Sequence, residues 1–225
     1  MYKILLIFLV VGYFYPIIGF LALVCMVGPV IMAVKRGRYW CGHYCPRGNF
    51  YDKWIGKFSR TQRIPAIFRR QWFRIFMVIF IFMVFGFQMY NAWGDLAQMG
   101  AVFWRIVFVT TVVGILLGVI YRPRTWCSFC PMGTLSYWVS PKKKTKSNAF
   151  EKIFVSDECV GCKVCTNECP LEIKVYRAKG NRDGLKNRDC LKCGRCIAKC
   201  PKQAINFARE NKNALDFVCN KSFIE

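Results

Sequence analysis

Eight cysteines near the C-terminal end stand in two runs of one pattern, CVGCKVCTNECP and CLKCGRCIAKCP. The first holds Cys159, Cys162, Cys165 and Cys169, the second Cys190, Cys193, Cys196 and Cys200, and Pro170 and Pro201 close them. CxxCxxCxxxCP is the spacing of paired 4Fe–4S cubanes: three thiolates on a tight loop cap three irons, and the fourth, at the start of a helix, reaches across to the other cluster. One cluster would then use Cys159, Cys162, Cys165 and Cys200, and the other Cys190, Cys193, Cys196 and Cys169. Tetrahedral zinc is the plain alternative, but it usually shows two separated pairs of ligands. Disulfides do not suit a domain facing a reducing cytoplasm.

Two shorter motifs lie upstream, RYWCGHYCPRG (Cys41, Cys45) and RTWCSFCPMG (Cys127, Cys130), and both directly follow long apolar runs. Arg38 and Arg124 stand three residues before the first cysteine of each pair, and Trp40 and Trp126 stand one before it. Pro46 and Pro131 suit the first turn of a following helix, whose amide end favours a negatively charged thiolate cluster. Four thiols delivered to one face are what one further iron–sulfur cluster requires, and the tryptophans could cover it from lipid. Thiol exchange or a copper site is the rival reading. His43 is the only histidine, which excludes a haem held by two histidines of this chain; it could serve the first cysteine pair, although a lone interfacial histidine is more often a bystander.

The elements that position these motifs divide the chain in two. Residues 1–139 hold every long apolar run and only two acids, Asp52 and Asp95, and form an α-helical membrane domain. Residues 140–149 are a basic linker able to stay close to anionic lipid, and residues 150–225 form an α+β dicluster ferredoxin-like domain. Spans are expected over 99–121 and 72–90. The apolar stretch Ile4–Val34 is either one long tilted helix or a full span from about Pro16 preceded by a shorter interfacial or re-entrant piece, and Pro16 with the preceding aromatic triplet favours a break. Lys and Arg dominate residues 35–74 against a single acid, so this loop is cytoplasmic by the positive-inside rule. Three spans then put the N-terminus outside, and both upstream cysteine motifs and the ferredoxin tail at the cytoplasmic side of the inner membrane. Residues 50–60, FYDKWIGKFSR, group Phe50, Tyr51, Trp54, Ile55 and Phe58 on one helical face, for the interface or for packing against other helices. The segment 171–189 between the two cysteine runs can supply a short strand pair and turn. Cys25 and Cys219 read as packing residues, and Arg105, alone in the third span, as a snorkelling residue.

The order of these motifs resembles the NapH-like membrane polyferredoxins, with NosR and the cytochrome oxidase assembly ferredoxins as larger relatives. The resemblance rests on WCGHYCPRG, WCSFCPMG and the dicluster tail, and covers most of the chain. It differs in the two-residue spacer of the second pair, in fewer evident spans and in lacking a flavin-binding domain of the NosR kind. It implies a quinol dehydrogenase or electron conduit, with the tail clusters as relay. A quinone, menaquinone or ubiquinone, is then expected at the face of the redox ligands, near Arg38, Trp40, Arg124 and Trp126. Other redox subunits and membrane lipid are the expected partners. Copper handling for oxidase assembly and redox sensing are the other function classes. The net charge of +22 is explained by topology and lipid contact, so nucleic acid binding is unsupported.

Overall fold

The structure is a computed structural model that describes residues 2–59, 62–140, 152–181, 184–211 and 214–217. Beyond Ser140 the basic linker lies outside the described residues, as does Cys219. The apolar N-terminal stretch breaks where proline forbids a continuous helix. α1 (Tyr2–Phe14) ends before Pro16, which opens a 3-10 turn (Pro16–Leu21) leading into α2 (Ala22–Arg36). α2 ends at Gly37, whose positive φ of 63° turns the chain out of the helix, and Lys35 and Arg36 in its last turn complement the helix dipole. α5 (Gln71–Asn91) and α6 (Leu96–Ile120) follow, and Asp95 caps α6 by accepting from the Ala97 N–H at 2.9 Å. Three helices are long and apolar enough to cross a membrane: Pro16–Arg36, Gln71–Asn91 and Leu96–Ile120. Their outward side chains, such as Phe76, Phe80, Met83 and Phe87 of α5, are exposed as a lipid-facing surface requires.

α1 corrects one expectation. The Lys53 ammonium lies over the Tyr2 ring, 5.1 Å from its centroid, so α1 starts at the basic face beside α4 (Pro46–Lys53). Further along, Trp104 of α6 donates to the Leu9 carbonyl at 3.1 Å, and at the far end the Pro16 turn meets α6 backbone to backbone. A Cβ on Gly100 would sit 2.2 Å from the Pro16 carbonyl oxygen, and one on Gly19 would sit 2.0 Å from that of Gly100. Only glycine permits this approach. α1 therefore runs antiparallel to α6 for about 20 Å and returns as α2. It is a shorter apolar helix beside the three spans, and it brings Tyr2 to the face that carries the cysteine motifs instead of the opposite one.

Residues 50–60 do not form one continuous helix: α4 stops at Lys53 and a 3-10 turn (Ile55–Lys57) follows. Tyr51 and Ile55 are buried against glycines 114 and 118 of α6, while Trp54 and Phe58 are exposed. The packing use expected of this face is met by Tyr51 and Ile55.

In the tail, β1 (Lys152–Val155) pairs antiparallel with β2 (Ile205–Asn211), with Val155 opposite Ile205, and β2 pairs antiparallel with β3 (Ala214–Phe217). Ile153, Val155, Leu171, Ile173, Val175, Leu191 and Ile205 form its core. The strand pair expected within 171–189 is not formed among the described residues; a 3-10 turn (Val175–Ala178) and a single parallel bridge from Val155 to Lys179 take its place. The reason is that the N–H groups of Leu171, Ile173 and Tyr176 turn toward cysteine sulfurs and leave no ladder to pair.

Glu172 fastens this domain to the helices. Its carboxylate accepts from the Ile64 N–H at 3.2 Å and from Arg69, and pairs with Arg122 at 3.0 Å. Its backbone is left-handed, φ 50°, a strain of about 1–3 kcal/mol that these partners hold in place. Glu172→Gln removes the charge facing two arginines and should loosen this seam by about 2 kcal/mol. Amide hydrogen exchange in detergent should then quicken over residues 64–70 and 167–175, with α6 unchanged; identical exchange in both proteins would show that the carboxylate does not hold the domains together.

Candidate metal centre

The two cysteine runs of the tail fold as copies offset by 31 residues. Left-handed backbone occurs at Gly161 and Lys192, at Lys163 and Gly194, and at Glu172 and Gln203, each pair at that offset. Glycine occupies only some of these positions, so the fold imposes the conformation on whatever residue stands there. Left-handed residues between right-handed ones form concave nests of N–H groups, a backbone suited to anions and iron–sulfur sites. Short helices follow, α8 (Val164–Asn167) and α9 (Arg195–Ala198), with Cys169 and Cys200 just past them.

Backbone N–H groups reach several sulfurs: Tyr176 to Cys165, Leu171 and Ile173 to Cys169, and Lys192 to Cys190. Burial pushes the Cys190 thiol up to about 12 and raises Cys165, Cys169 and Cys196 as well. Such thiols stay protonated unless cations are placed among them. Cys196 feels Cys190, Cys193 and Cys169, and the same four line one cavity with Ile173 and Leu191. Cys165 lies near Cys159 and Cys162, and α8 packs on α9, which leads to Cys200. Among the described residues, no three His, Cys, Asp or Glu side chains converge on a point suited to one metal ion. The sulfurs that line the cavity stand around a space instead, and this donor set with its inward N–H groups fits an iron–sulfur cluster.

The two upstream motifs interlock reciprocally. Arg38 donates to the Cys127 carbonyl at 2.5 Å, and Arg124 donates to the Cys41 carbonyl at 2.5 Å. Each guanidinium lies over a glycine of the other motif, Arg38 over Gly133 and Arg124 over Gly48. Cys45 and Cys130 are the N-cap residues of α4 and α7 (Pro131–Val139), with proline next in each, so the free amides of both helices open toward the cysteines. The charges of Cys41 and Cys127 are felt by each other and by Cys45 and Cys130, so all four sulfurs are neighbours. Burial raises Cys41 to about 11 and Cys127 to about 12, opposed by Arg38 and Arg124 respectively. Arg47 donates to the Cys130 sulfur at 3.3 Å.

The assembly backs directly onto the tail. Cys41 and Cys127 pack against the ferredoxin core, and a Cβ on Gly42 would lie 2.3 Å from the Leu191 carbonyl oxygen. Asp189 accepts from Arg38 at 2.8 Å and from Arg74 at 3.0 and 3.1 Å. Asp52 accepts from Arg124 at 2.6 and 2.9 Å and pairs with Arg195 at 2.7 Å. Arg122 donates to the carbonyls of Asn167 at 2.7 Å and Cys169 at 3.2 Å. These contacts therefore reach the tail beside Cys169, Cys190, Cys193 and Cys196.

The quinone contact expected of Arg38 and Arg124 does not fit their surroundings. Both side chains are buried, with their Nη donors engaged by aspartates and by cysteine carbonyls. Trp126 is buried beneath the Arg47 guanidinium, and Trp40 packs on Gly28 and Tyr44, so both are wall residues. His43 stacks on Tyr39 with ring centroids 4.0 Å apart, and its Nδ1 lies 3.2 Å from the Tyr39 carbonyl, a local packing role. Sequence reasoning missed Asp189, Arg195, Asp52, Arg47 and Glu172 as parts of the site. The two aspartates gave one visible signal: Asp52 is the only acid of the basic loop, and Asp189 immediately precedes a cysteine run.

Two protein families match the stretches that carry the cysteine motifs. A family described as 4Fe-4S binding domain matches residues 18–65 and 97–148, which contain both upstream motifs, and one described as 4Fe-4S dicluster domain matches residues 158–205. An uncharacterized protein of Methanocaldococcus jannaschii is 21% identical over 220 residues, covering 91% of this chain and 82% of its own length. A second uncharacterized protein of that organism is 22% identical, covering 80% of this chain and 75% of its own length. The ferredoxin-type protein NapH of Haemophilus influenzae is 26% identical over 191 residues, covering 78% of this chain and 64% of its own length. No solved structure matches. With its apolar helices and its 4Fe-4S domains, the chain is a membrane iron–sulfur electron-transfer protein similar to the NapH-like polyferredoxins.

Proposed function

We propose that the protein relays electrons between the membrane quinone pool and a redox partner through three 4Fe–4S clusters in series, with the ferredoxin domain on the cytoplasmic side. Cys41, Cys45, Cys127 and Cys130 would hold the membrane cluster. Cys190, Cys193, Cys196 and Cys169 would hold the middle one, and Cys159, Cys162, Cys165 and Cys200 the outer one. The observation that carries this reading is the gathering of four sulfurs by the reciprocal Arg38 and Arg124 contacts, directly behind Leu191. When bound, such clusters supply one-electron transfer with little rearrangement.

The chain's own residues support this order. Gly42 permits the backbone of the first membrane motif to meet that of the second tail run, and the Asp189 and Asp52 pairs hold the contact. Cys162 and Val160 of the first tail run are exposed, which supports an exit toward a partner subunit at that end. At the seam, a cleft of about 390 Å³ opens between the start of α5 and the tail, lined by Arg69, Arg74, Ser128, Glu172, Asn187 and Asp189. Its size suits a small molecule, and it touches the loop between Cys127 and Cys130. This cleft, in place of the buried Arg38 and Arg124, is where a quinone headgroup would exchange electrons.

The cluster count is tested by iron and sulfide content with electron paramagnetic resonance. Full-length protein should carry about twelve irons and the Cys41→Ser, Cys127→Ser double variant about eight; equal content at about eight would remove the membrane cluster from the scheme. The order is tested with a quinol under anaerobic conditions. The double variant should lose quinol-driven reduction of the tail while dithionite still reduces it. Cys162→Ser, which disturbs only the outer site, should leave reduction of the middle cluster intact. Undiminished quinol reduction in the double variant would exclude the membrane motifs from the path.

A further inference from the structure

The upstream motifs match closely in build, and beyond their spacers they differ at the residue after the proline, Arg47 in CPRG and Met132 in CPMG. Met132 turns away and lines an apolar cavity between α2, α5 and α6. Arg47 turns inward. Its Nη2 donates to the Cys130 sulfur at 3.3 Å, its Nη1 donates to the Thr110 hydroxyl at 2.9 Å, and its guanidinium lies 5.4 Å from the centre of the Trp126 ring. Thr110 in turn donates to the Ile106 carbonyl, so its lone pair is presented to Arg47. Asp52 is the only acid of the basic loop, and it is taken by Arg124 and Arg195. Arg47 thus faces the sulfurs as a cation that reaches across from the first motif to the last cysteine of the second.

We infer that Arg47 is a positioning residue that raises the reduction potential of the membrane cluster by hydrogen bonding and charge at the Cys130 sulfur. This rests on the reading that Cys41, Cys45, Cys127 and Cys130 hold a cluster. Reduction adds one negative charge to a group already carrying thiolates. A fixed cation and an N–H donor at one of those thiolates stabilise the reduced form more than the oxidised one. The pair is half-buried with the buried Trp126 ring beside the guanidinium, and the lowered dielectric there strengthens the effect. Arg38 and Arg124 differ from Arg47 in kind: they donate to backbone carbonyls and are neutralised by Asp189 and Asp52. Of these three arginines Arg47 is the one that donates to a cysteine sulfur, and the Arg-to-Met difference makes the two halves electrically unequal.

The experiment is a potentiometric titration of full-length protein in detergent, followed by electron paramagnetic resonance, with the membrane signal identified by its loss in Cys41→Ser. Arg47→Met, which copies the second motif into the first, should move the membrane midpoint to lower potential and leave the two tail midpoints where they were. Arg47→Lys, which keeps the charge and loses the fork that serves sulfur and Thr110 together, should move it less. An unmoved membrane midpoint in Arg47→Met, or an equal shift of all three clusters, overturns the inference. Should Arg47→Met lack the membrane cluster, Arg47→Gln decides by the same criterion; loss of the cluster from both would make Arg47 an assembly residue and overturn the tuning role. A wild-type protein with only the tail signals would instead defeat the three-cluster reading, which the iron count registers separately.

Discussion

The exchange of hydrogen bonds between Arg38 and the Cys127 carbonyl, and between Arg124 and the Cys41 carbonyl, is the constraint on which the remaining arrangement depends. A buried guanidinium is costly unless its charge and donors are met, and removing one partner of a buried pair costs about 3–5 kcal/mol. Each arginine meets this demand on two fronts, a cysteine carbonyl of the other motif and an aspartate. Satisfying both at once leaves one relative placement of the motifs, and that placement brings four sulfurs together. Glycines at 48 and 133 provide the room, since a Cβ at either would crowd the guanidinium lying over it.

The aspartates extend the same constraint to the tail. Asp189 sits between Arg38 and Arg74, Asp52 between Arg124 and Arg195, and Glu172 between Arg69 and Arg122. In a chain with an excess of 22 positive charges, acids are scarce, and three of them are spent on paired arginines at the seam between membrane and ferredoxin domains. Partial burial keeps these pairs from being screened as surface pairs are. Electron transfer depends steeply on separation, so a rigid seam is worth more here than in a chain whose domains only share a linker.

Cysteine spacing made the ferredoxin tail legible, because loop geometry near a cubane is local and CxxCxxCxxxCP records it directly. Pro16 likewise marked the break between α1 and α2, since the effect of proline on a helix does not depend on distant partners. The side on which Tyr2 lies was not legible. It depends on where the 13 apolar residues of α1 dock, and their partners are Trp104 and Lys53, distant in sequence. Arg38 and Arg124 were recognised as site residues and given the wrong task, because a sequence shows a repeated offset from a cysteine but not which carbonyl or carboxylate stands in front of a guanidinium. The 171–189 segment misled for a related reason: alternating apolar residues favour a strand, yet its amides had sulfurs to serve.

The internal repetition also explains why the site is built from unequal halves. Two copies of an Arg–Trp–Cys–Cys–Pro–Gly motif related by the exchanged arginines would surround a central group symmetrically, and electrons would meet the same potential from either side. The spacer of three residues in CGHYC and two in CSFC already breaks that symmetry in the backbone, and Gly42 within the longer spacer is what allows Leu191 to approach. The first motif thereby faces the ferredoxin domain, whereas Ser128 in the second lines the cleft open toward the start of α5. A docked tail on one side and an open cleft on the other require this division. A symmetric pair of motifs could provide four sulfurs, but not two different faces.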